Sequence, residues 1–211
     1  MVQLNSSQIA ELEKNFRVNL INSVGGYKSL NLLGTINEDK ITNLSIISSA
    51  FHMGSNPPLF GLIIRPEREH NDTLKNIKST GQYTLNNVLP EWYENAHQTS
   101  ASYPSGFSEF AACGFNEWYA DGFAAPFVAQ STVKMGLELR EIVEMKINGT
   151  TLVIGEVTQL LANDTLIGDD GFVDHVKAAT LTVAGLDSYY STVHLGRLAY
   201  AKPGAATKKI E

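Results

Sequence analysis

Residues 43–73 have the sequence NLSIISSAFHMGSNPPLFGLIIRPEREHNDT. A hydroxyl-rich apolar stretch is followed by a Pro-Pro turn and then by a continuous apolar run, residues 59–65, which indicates a buried strand ending in Arg65. Asp72 then provides a cap for a helix over residues 72–79, which ends at Gly81. Guanidinium, hydroxyl and helix-start N–H groups bind phosphate, whereas small and aromatic strand side chains suit a flat ring. The stretch therefore predicts strand, turn, strand and helix around a phosphorylated planar ligand such as flavin mononucleotide (FMN).

The sequence on either side of this stretch predicts more strands than helices. Residues 37–40, Asn-Glu-Asp-Lys, form a polar turn between two β-rich segments, and Asn148-Gly149 is a strong hairpin turn between two longer ones. The predicted strands cover residues 27–36, 41–51, 59–65, 82–88, 134–147 and 151–161. Their alternating apolar residues are typical of a barrel wall.

Three further segments complete a single expected domain of residues 1–211. Residues 1–25 place Ile9, Leu12 and Phe16 at helical spacing and predict one N-terminal helix. Residues 89–127 contain both tryptophans and many other aromatic side chains without clear periodicity, which predicts an insertion of loops and short helices that can serve as a lid. Residues 202–211 predict a frayed tail.

Composition limits the classes of protein that the chain can represent. The 211 residues are 43% hydrophobic and 18% charged, which is ordinary for a globular domain. The single cysteine, Cys113, has no partner for an internal disulfide, and this favours a cytoplasmic protein. A net charge of −6 disfavours binding to nucleic acid or to an anionic membrane. We also find no run of apolar residues long enough to span a membrane.

The usual catalytic and metal-binding motifs are missing from the sequence. The five histidines show no i, i+4 pair, so no metal site is predicted, and no residue stands out as a catalytic acid, base or nucleophile. His52 and His175 are the titratable candidates near a bound ring, with a purely structural role as the alternative. No G-x-G-x-x-G motif is present, so a nicotinamide donor would have to stack on the flavin.

Four sequence features together resemble the flavin reductase-like family, and in particular its flavoredoxin-like branch. The resemblance spans most of the chain, and the order and spacing of the features make it more specific than any one of them. The features are Asn43-Leu44-Ser45 to Ser48-Ser49-Ala50-Phe51, the turn Asn56-Pro57-Pro58-Leu59, the stretch from Arg65 to Asp72-Thr73 with Tyr83-Thr84-Leu85-Asn86 after its helix, and Leu186-Asp187-Ser188-Tyr189-Tyr190 with Leu195-Gly196-Arg197-Leu198.

The resemblance implies a mainly β fold with added helices, a Greek-key-like split β-barrel of the FMN-binding type. It also implies a homodimer with FMN near the interface, NADH or NADPH as the electron donor, and a small-molecule or protein acceptor. Arg65 and Thr73 would hold the phosphate, while Glu67 and Glu69 would point to solvent and Arg68 and His70 would offset their charge. The implied cofactor-binding residues are Asn43, Ser48, Ser49, Ala50, Phe51, Arg65, Thr73, Tyr189 and Arg197.

Each of these residues also has an ordinary structural explanation. Ser48 and Ser49 can bond to neighbouring backbone, and Arg65 can form a surface ion pair. Thr73 and Asn43 can simply occupy a helix start and a turn, whereas Tyr189 and Arg197 can pack in a core or an interface. The corresponding functional alternatives are a flavin reductase, an FMN-binding electron carrier without its own nucleotide turnover, and a barrel that binds a small molecule other than flavin.

Overall fold

The computed structural model describes residues 1–66 and 72–210, and within them the chain is mainly β. The predictions made for Glu67, Arg68, Glu69 and His70 lie outside these residues. The α-helices are α1 Ser6–Glu11, α2 Lys14–Ser23, α3 Asp72–Thr80, α4 Tyr93–Gln98 and α5 Glu109–Ala112, with 3-10 turns at Pro90–Trp92 and Asp164–Leu166. The strands are β1 Lys28–Ser29, β2 Asn31–Ile36, β3 Thr42–Ile47, β4 Ala50–Ser55, β5 Pro58–Ile64, β6 Gln82–Asn87, β7 Glu117–Trp118, β8 Phe127–Val128, β9 Val133–Met145, β10 Thr150–Ala162, β11 Thr182–Ala184 and β12 Ser188–Tyr190.

The main sheet curls into a split barrel, whose two edge strands approach each other without pairing. Its seven strands follow the order β3-β2-β6-β9-β10-β5-β4, and each neighbouring pair is antiparallel. The two edge strands, β3 and β4, are consecutive in the chain and are joined only by Ser48 and Ser49. Because consecutive Cα atoms are about 3.8 Å apart, this connection spans at most about 11 Å. The two edges must therefore meet, and the predicted mainly β barrel with added helices is confirmed.

The single strand predicted over residues 41–51 is wrong. The chain instead leaves β3, which pairs with β2, and enters β4, which pairs with β5 at the other edge of the sheet. Apolar and hydroxyl residues continue across the junction, so the local pattern does not reveal the change of partner. The consequence is that Ser48 and Ser49 lie at the seam of the barrel rather than within a strand.

The single N-terminal helix predicted over residues 1–25 is also wrong. Two helices form because Leu12 adopts an extended conformation between α1 and α2. The side chain of Asn5 accepts a hydrogen bond from the Gln8 N–H at the start of α1, and Glu13 accepts one from the Phe16 N–H at the start of α2. A second cap after the extended residue thus favours a new helix over a continuous one.

Two apolar cores lie on opposite faces of the β2 region. One fills the barrel and includes Leu33, Tyr83 and Leu137, and Ile77 of α3 packs against it. The other includes Leu32, whose side chain points the opposite way from Leu33 because side chains alternate along a strand. The second core is completed by residues of the insertion, among them Phe110 and Phe115.

The insertion covers the free edge of β3. An edge strand leaves alternate backbone N–H groups without a partner in the sheet. Here the Leu44 N–H donates to Glu109 Oε2 at 2.9 Å, and the Ile46 N–H donates to Thr99 Oγ1 at 2.9 Å. Side chains of the insertion thereby replace the missing neighbouring strand, which fixes this segment beside the seam.

We expect Gly34→Ala to lower the free energy of unfolding by about 1–3 kcal/mol, the usual cost of overpacking a core. A Cβ at Gly34 would collide with the backbone oxygen of Pro126 and with Thr84 Oγ1. Gly25→Ala is the control, because a Cβ there meets no atom within 4 Å. Chemical denaturation of both variants measures the difference, and equal stabilities would show that strand β2 can move away from residue 126.

Candidate functional site

The barrel seam opens into a cavity of about 1020 Å³. Its walls come from β3, the seam residues, the end of β5, the start of α3, the insertion and the small sheet formed by β1, β11 and β12. Six of the nine predicted cofactor-binding residues line it, although their contact with a ligand stays a prediction. These six are Asn43, Ser48, Ser49, Arg65, Thr73 and Tyr189.

Buried polar side chains form one end of the cavity. Asn43 on β3 and Thr73 in the first turn of α3 are 9% and 7% exposed, and Asn43 Nδ2 donates a hydrogen bond to Thr73 Oγ1 at 3.1 Å. The side chain of the neighbouring Asp72 accepts a hydrogen bond from Ser105 of the insertion at 3.0 Å and lies 3.9 Å from Lys75 Nζ. Asp72 is thus held by other side chains, next to a helix start that offers N–H groups.

The two seam serines differ in their bonding. Ser49 Oγ donates to the Ile63 carbonyl oxygen at 2.7 Å, which is the backbone bond expected of a strand hydroxyl. Ser48 is half-buried and lines the cavity beside it. Because a hydroxyl oxygen can still accept a hydrogen bond while it donates one, both serines can bond to a ligand at the seam.

Two cations face the cavity. Arg65 follows β5 directly, and Lys28 lies on β1, where its Nζ donates to the Gly185 carbonyl oxygen at 2.7 Å. Burial and the positive charge of Arg65 lower the pKa of Lys28. Among the described residues, no carboxylate forms an ion pair with either cation. The cavity therefore offers a site for an anionic group.

A hydrogen-bonded aromatic pair lies at another part of the wall. His97 Nδ1 on α4 and Tyr189 Oη on β12 are 2.6 Å apart, and both side chains line the cavity. Burial, with a contribution from the charge of Asp187, raises the pKa of Tyr189. The contact joins the insertion to the C-terminal part of the chain and adds an aromatic surface against which a ring can pack.

Glu109 is a buried carboxyl in the same wall. It is 8% exposed, and one of its oxygens accepts the Leu44 N–H bond described above. Burial raises the pKa of Glu109, the Leu44 N–H and its own N–H oppose this effect, and the nearby charge of Asp72 raises the pKa further.

Ala50, Phe51 and His52 lie on the edge strand β4, just beyond the seam. They are not among the residues that line the cavity, and the Phe51 side chain is 44% exposed. His52 packs edge-to-face against Phe60, with ring centroids 5.6 Å apart. These residues follow the seam in sequence, but the chain has already turned along the outer edge of the barrel.

Arg197 and His175 belong to a different region. Both line a second cavity, of about 470 Å³, between residues 165–177 and 192–197. An Arg197 Nη donates to Asp170 Oδ2 at 2.6 Å, and the guanidinium lies 4.1 Å from the centre of the Phe172 ring. His175 Nδ1 is 3.1 Å from Thr180 Oγ1. The structure therefore does not bring Arg197 or His175 to the seam.

Sequence reasoning missed Lys28, His97 and Glu109 as cavity residues. They come from a two-residue strand and from two short helices of the insertion, where no periodicity or motif marks them. Contacts between segments distant in sequence bring them to the seam. The described residues contain no group of three or more His, Cys, Asp or Glu side chains placed to hold a metal ion. None of the described helices combines the length and apolar character needed to cross a membrane.

An antiparallel split barrel with a cavity of this size at its seam is typical of the class of flavin reductase-like proteins. The chain belongs to the flavin reductase like domain family, whose model matches residues 29–174. The family and the split-barrel fold predicted from the sequence are thus confirmed. Membership supports a flavin-related oxidoreductase or electron-transfer role and a flavin cofactor.

Solved structures share this fold over nearly the whole chain. A Shewanella frigidimarina protein assigned as a flavin reductase with a split barrel domain is 45% identical, with a TM-score of 0.92 over 95% of this chain and 100% of that one. Nitrilotriacetate monooxygenase component B from Bacillus cereus is 17% identical, with a TM-score of 0.82 over 94% and 98%. Flavoredoxin of Desulfovibrio vulgaris (Miyazaki F) is 22% identical, with a TM-score of 0.69 over 85% and 92%.

Proposed function

We propose that this protein is an FMN-dependent oxidoreductase of the flavin reductase type, which takes a hydride from NADH or NADPH and passes electrons to an acceptor. The observation that carries the proposal is the pair of cations, Arg65 and Lys28, facing one cavity without a carboxylate partner among the described residues. A buried threonine, seam hydroxyls and apolar walls surround them. This combination suits a phosphorylated ligand with a flat, largely apolar body.

The described residues fit FMN at both of its chemical ends. Arg65 and Thr73 would hold the phosphate, because a guanidinium and a helix start both favour a divalent anion. Asn43, Ser48 and Ser49 would bond to the ribityl chain and the ring edge. The side chains of Ile46 and Ile63, which also line the cavity, would pack against the ring and keep water from it.

Bound FMN supplies the hydride chemistry, so the protein needs to provide position and electrostatics rather than an acid–base pair. This agrees with a cavity wall made largely of hydroxyl, amide and aliphatic groups. A homodimer is part of the same proposal. The exposed side chains of Phe51 and Met53 on β4, at 44% and 43%, support a contact with a second copy near the seam, and the mass measured by light scattering tests it.

The deciding experiment is an anaerobic spectrum of the purified protein after reconstitution with FMN. We expect bound yellow flavin that loses its visible absorption when NADH or NADPH is added, because a nicotinamide stacked on the ring would pass its hydride to the flavin. Flavin that stays oxidised with both nucleotides would instead indicate an electron carrier reduced by a protein partner, the alternative suggested by the flavoredoxin fold. A protein that does not bind FMN would exclude both functions.

The control uses riboflavin, which has the same ring and ribityl chain but no phosphate. Binding through the two cations predicts that riboflavin binds much more weakly than FMN. Equal dissociation constants for the two flavins would contradict an anion site at Arg65 and Lys28.

A further inference from the structure

Glu109 lies where a bound phosphate would meet a negative charge. Glu109 and Thr73 line the same cavity. Thr73 accepts a hydrogen bond from the Asn43 side chain, and Glu109 accepts one from the Leu44 N–H, so the two residues contact neighbouring positions on β3. An ionised Glu109 would repel a phosphate at the start of α3. A protonated Glu109 would instead be a hydrogen-bond donor pointing into an anion site.

The bond between Glu109 and Leu44 does not require a charged side chain. Two residues further along β3, the Ile46 N–H is satisfied in the same way by the neutral hydroxyl of Thr99. A neutral carboxylic acid or an amide could cap Leu44 equally well through its carbonyl oxygen. The hydrogen bond to Leu44 therefore does not require that residue 109 carry a group able to gain and lose a proton.

The surroundings of Glu109 favour the neutral form. It is more than nine-tenths buried, and no lysine, arginine or histidine forms an ion pair with it among the described residues. The titratable groups around it are Asp72 on α3 and Tyr103 and Cys113 in the insertion. None of these is positively charged, and the two cations of the same cavity, Lys28 and Arg65, form no ion pair with Glu109. A phosphate at Thr73 would add two further negative charges on the same side.

We infer that Glu109 takes up a proton when a phosphorylated ligand enters the cavity, and that it then donates a hydrogen bond to the phosphate. Glu109 is thereby a residue that selects for the phosphate end of the ligand, and this inference rests on the proposed FMN site. One proton passes from solvent to the Glu109 carboxylate, and no covalent bond forms or breaks. Binding of FMN should therefore weaken as the pH rises.

Isothermal titration calorimetry of FMN binding between pH 7.0 and 8.5 tests this inference. The second pKa of a phosphate monoester is about 6, so FMN is a dianion throughout this range and its own ionisation contributes little. We expect uptake approaching one proton per FMN, measured in buffers of different ionisation enthalpy. The dissociation constant should rise by up to about tenfold per pH unit.

Glu109→Gln is the matched variant, because its amide mimics the protonated acid. It keeps an oxygen for the Leu44 N–H and an N–H₂ group for the phosphate. We expect this variant to bind FMN with a dissociation constant that changes less than about twofold over the same pH range, and without proton uptake. Uptake that persists unchanged in the variant would assign the proton to another group, such as Lys28, and would overturn the inference.

Should the variant fail to fold, the same titrations in Lys28→Ala, which lacks the other group able to take up the proton, decide the question. Proton uptake with FMN that disappears with riboflavin supports the inference, whereas equal uptake with both flavins overturns it. Tight FMN binding without any proton uptake overturns the role of Glu109 but leaves the proposed function intact. Failure to bind FMN at every pH overturns the proposed function and this inference with it.

Discussion

Arg65→Ala should weaken FMN binding by about 1.5–3 kcal/mol, or about 10- to 150-fold in the dissociation constant, the range expected for a lost charge-assisted hydrogen bond. Arg65 stands at the end of β5 with its side chain exposed to the cavity, and no carboxylate of the described chain neutralises it. Its charge is therefore available to a ligand. Quenching of FMN fluorescence on titration with protein measures the change.

Arg140→Ala is the matched control for Arg65→Ala. Arg140 is also a partly exposed arginine on the barrel, but it pairs with Glu138 and Glu156 and does not line the cavity. Its loss should leave the FMN dissociation constant unchanged. Thr73→Val tests the same end of the site independently, because it removes the hydroxyl of Thr73 and keeps the shape of the side chain. An unaltered affinity in Arg65→Ala would exclude Arg65 from the phosphate site.

Asn86→Ala should lower the free energy of unfolding by about 2–4 kcal/mol, because it leaves a buried backbone N–H without an acceptor and breaks further buried hydrogen bonds. Asn86 is fully buried on β6. Its Nδ2 donates to the Leu32 carbonyl oxygen at 3.0 Å and to Thr84 Oγ1 at 2.9 Å, while its Oδ1 accepts from the Val128 N–H at 2.9 Å. One side chain thus joins the barrel to the end of the insertion.

Urea denaturation followed by circular dichroism measures the effect of Asn86→Ala. Asn19→Ala on the exposed surface of α2 is the control, and it should change the stability by less than about 0.5 kcal/mol. If Asn86→Ala were as stable as the control, the insertion would be held by its apolar core and by its hydrogen bonds to β3. In that case Phe110, Phe115 and these bonds, rather than the amide network, would fix its position.

The insertion also affects the site, because it contributes to both the stability and the chemistry of the cavity wall. Thr99 and Glu109 satisfy the free edge of β3, and His97 bonds to Tyr189 in the cavity wall. A segment that reads as aromatic loop in the sequence is thus a structural wall of the site. Polar residues of the insertion line the cavity, whereas its tryptophans do not.

Much of the secondary structure was predictable from short-range patterns. The hairpin at Asn148-Gly149 forms between two long strands, and the helix after Asp72 ends as Gly81 indicated. Asn43, Arg65 and Thr73 were predicted to lie together, and the structure places them on one cavity. The hairpin and helix predictions succeeded because turn residues, caps and apolar alternation act over a few neighbouring residues.

Arg197 shows that short-range patterns do not predict contacts between distant segments. The family resemblance grouped it with the site, but a partner 27 residues away, Asp170, holds it beside a second cavity. Ala50 and Phe51 illustrate a related problem, because the exchange of strand partner at the seam turns them along the outer edge of the barrel. The residues of a strand do not by themselves indicate which other strand it will pair with.

The amino-acid sequence by itself determined the strand-rich class of this protein, the helix that follows Arg65 and the polar residues on which an anion site could be built. Only the tertiary structure decided that β3 and β4 meet at a seam, that Lys28 joins Arg65, and that Glu109 is buried beside Thr73. Local propensities act through backbone geometry and neighbouring side chains, so the secondary structure that they favour can be predicted from the sequence. The seam and the electrostatic surroundings of Glu109 arise from barrel closure, which brings together residues that are far apart along the chain.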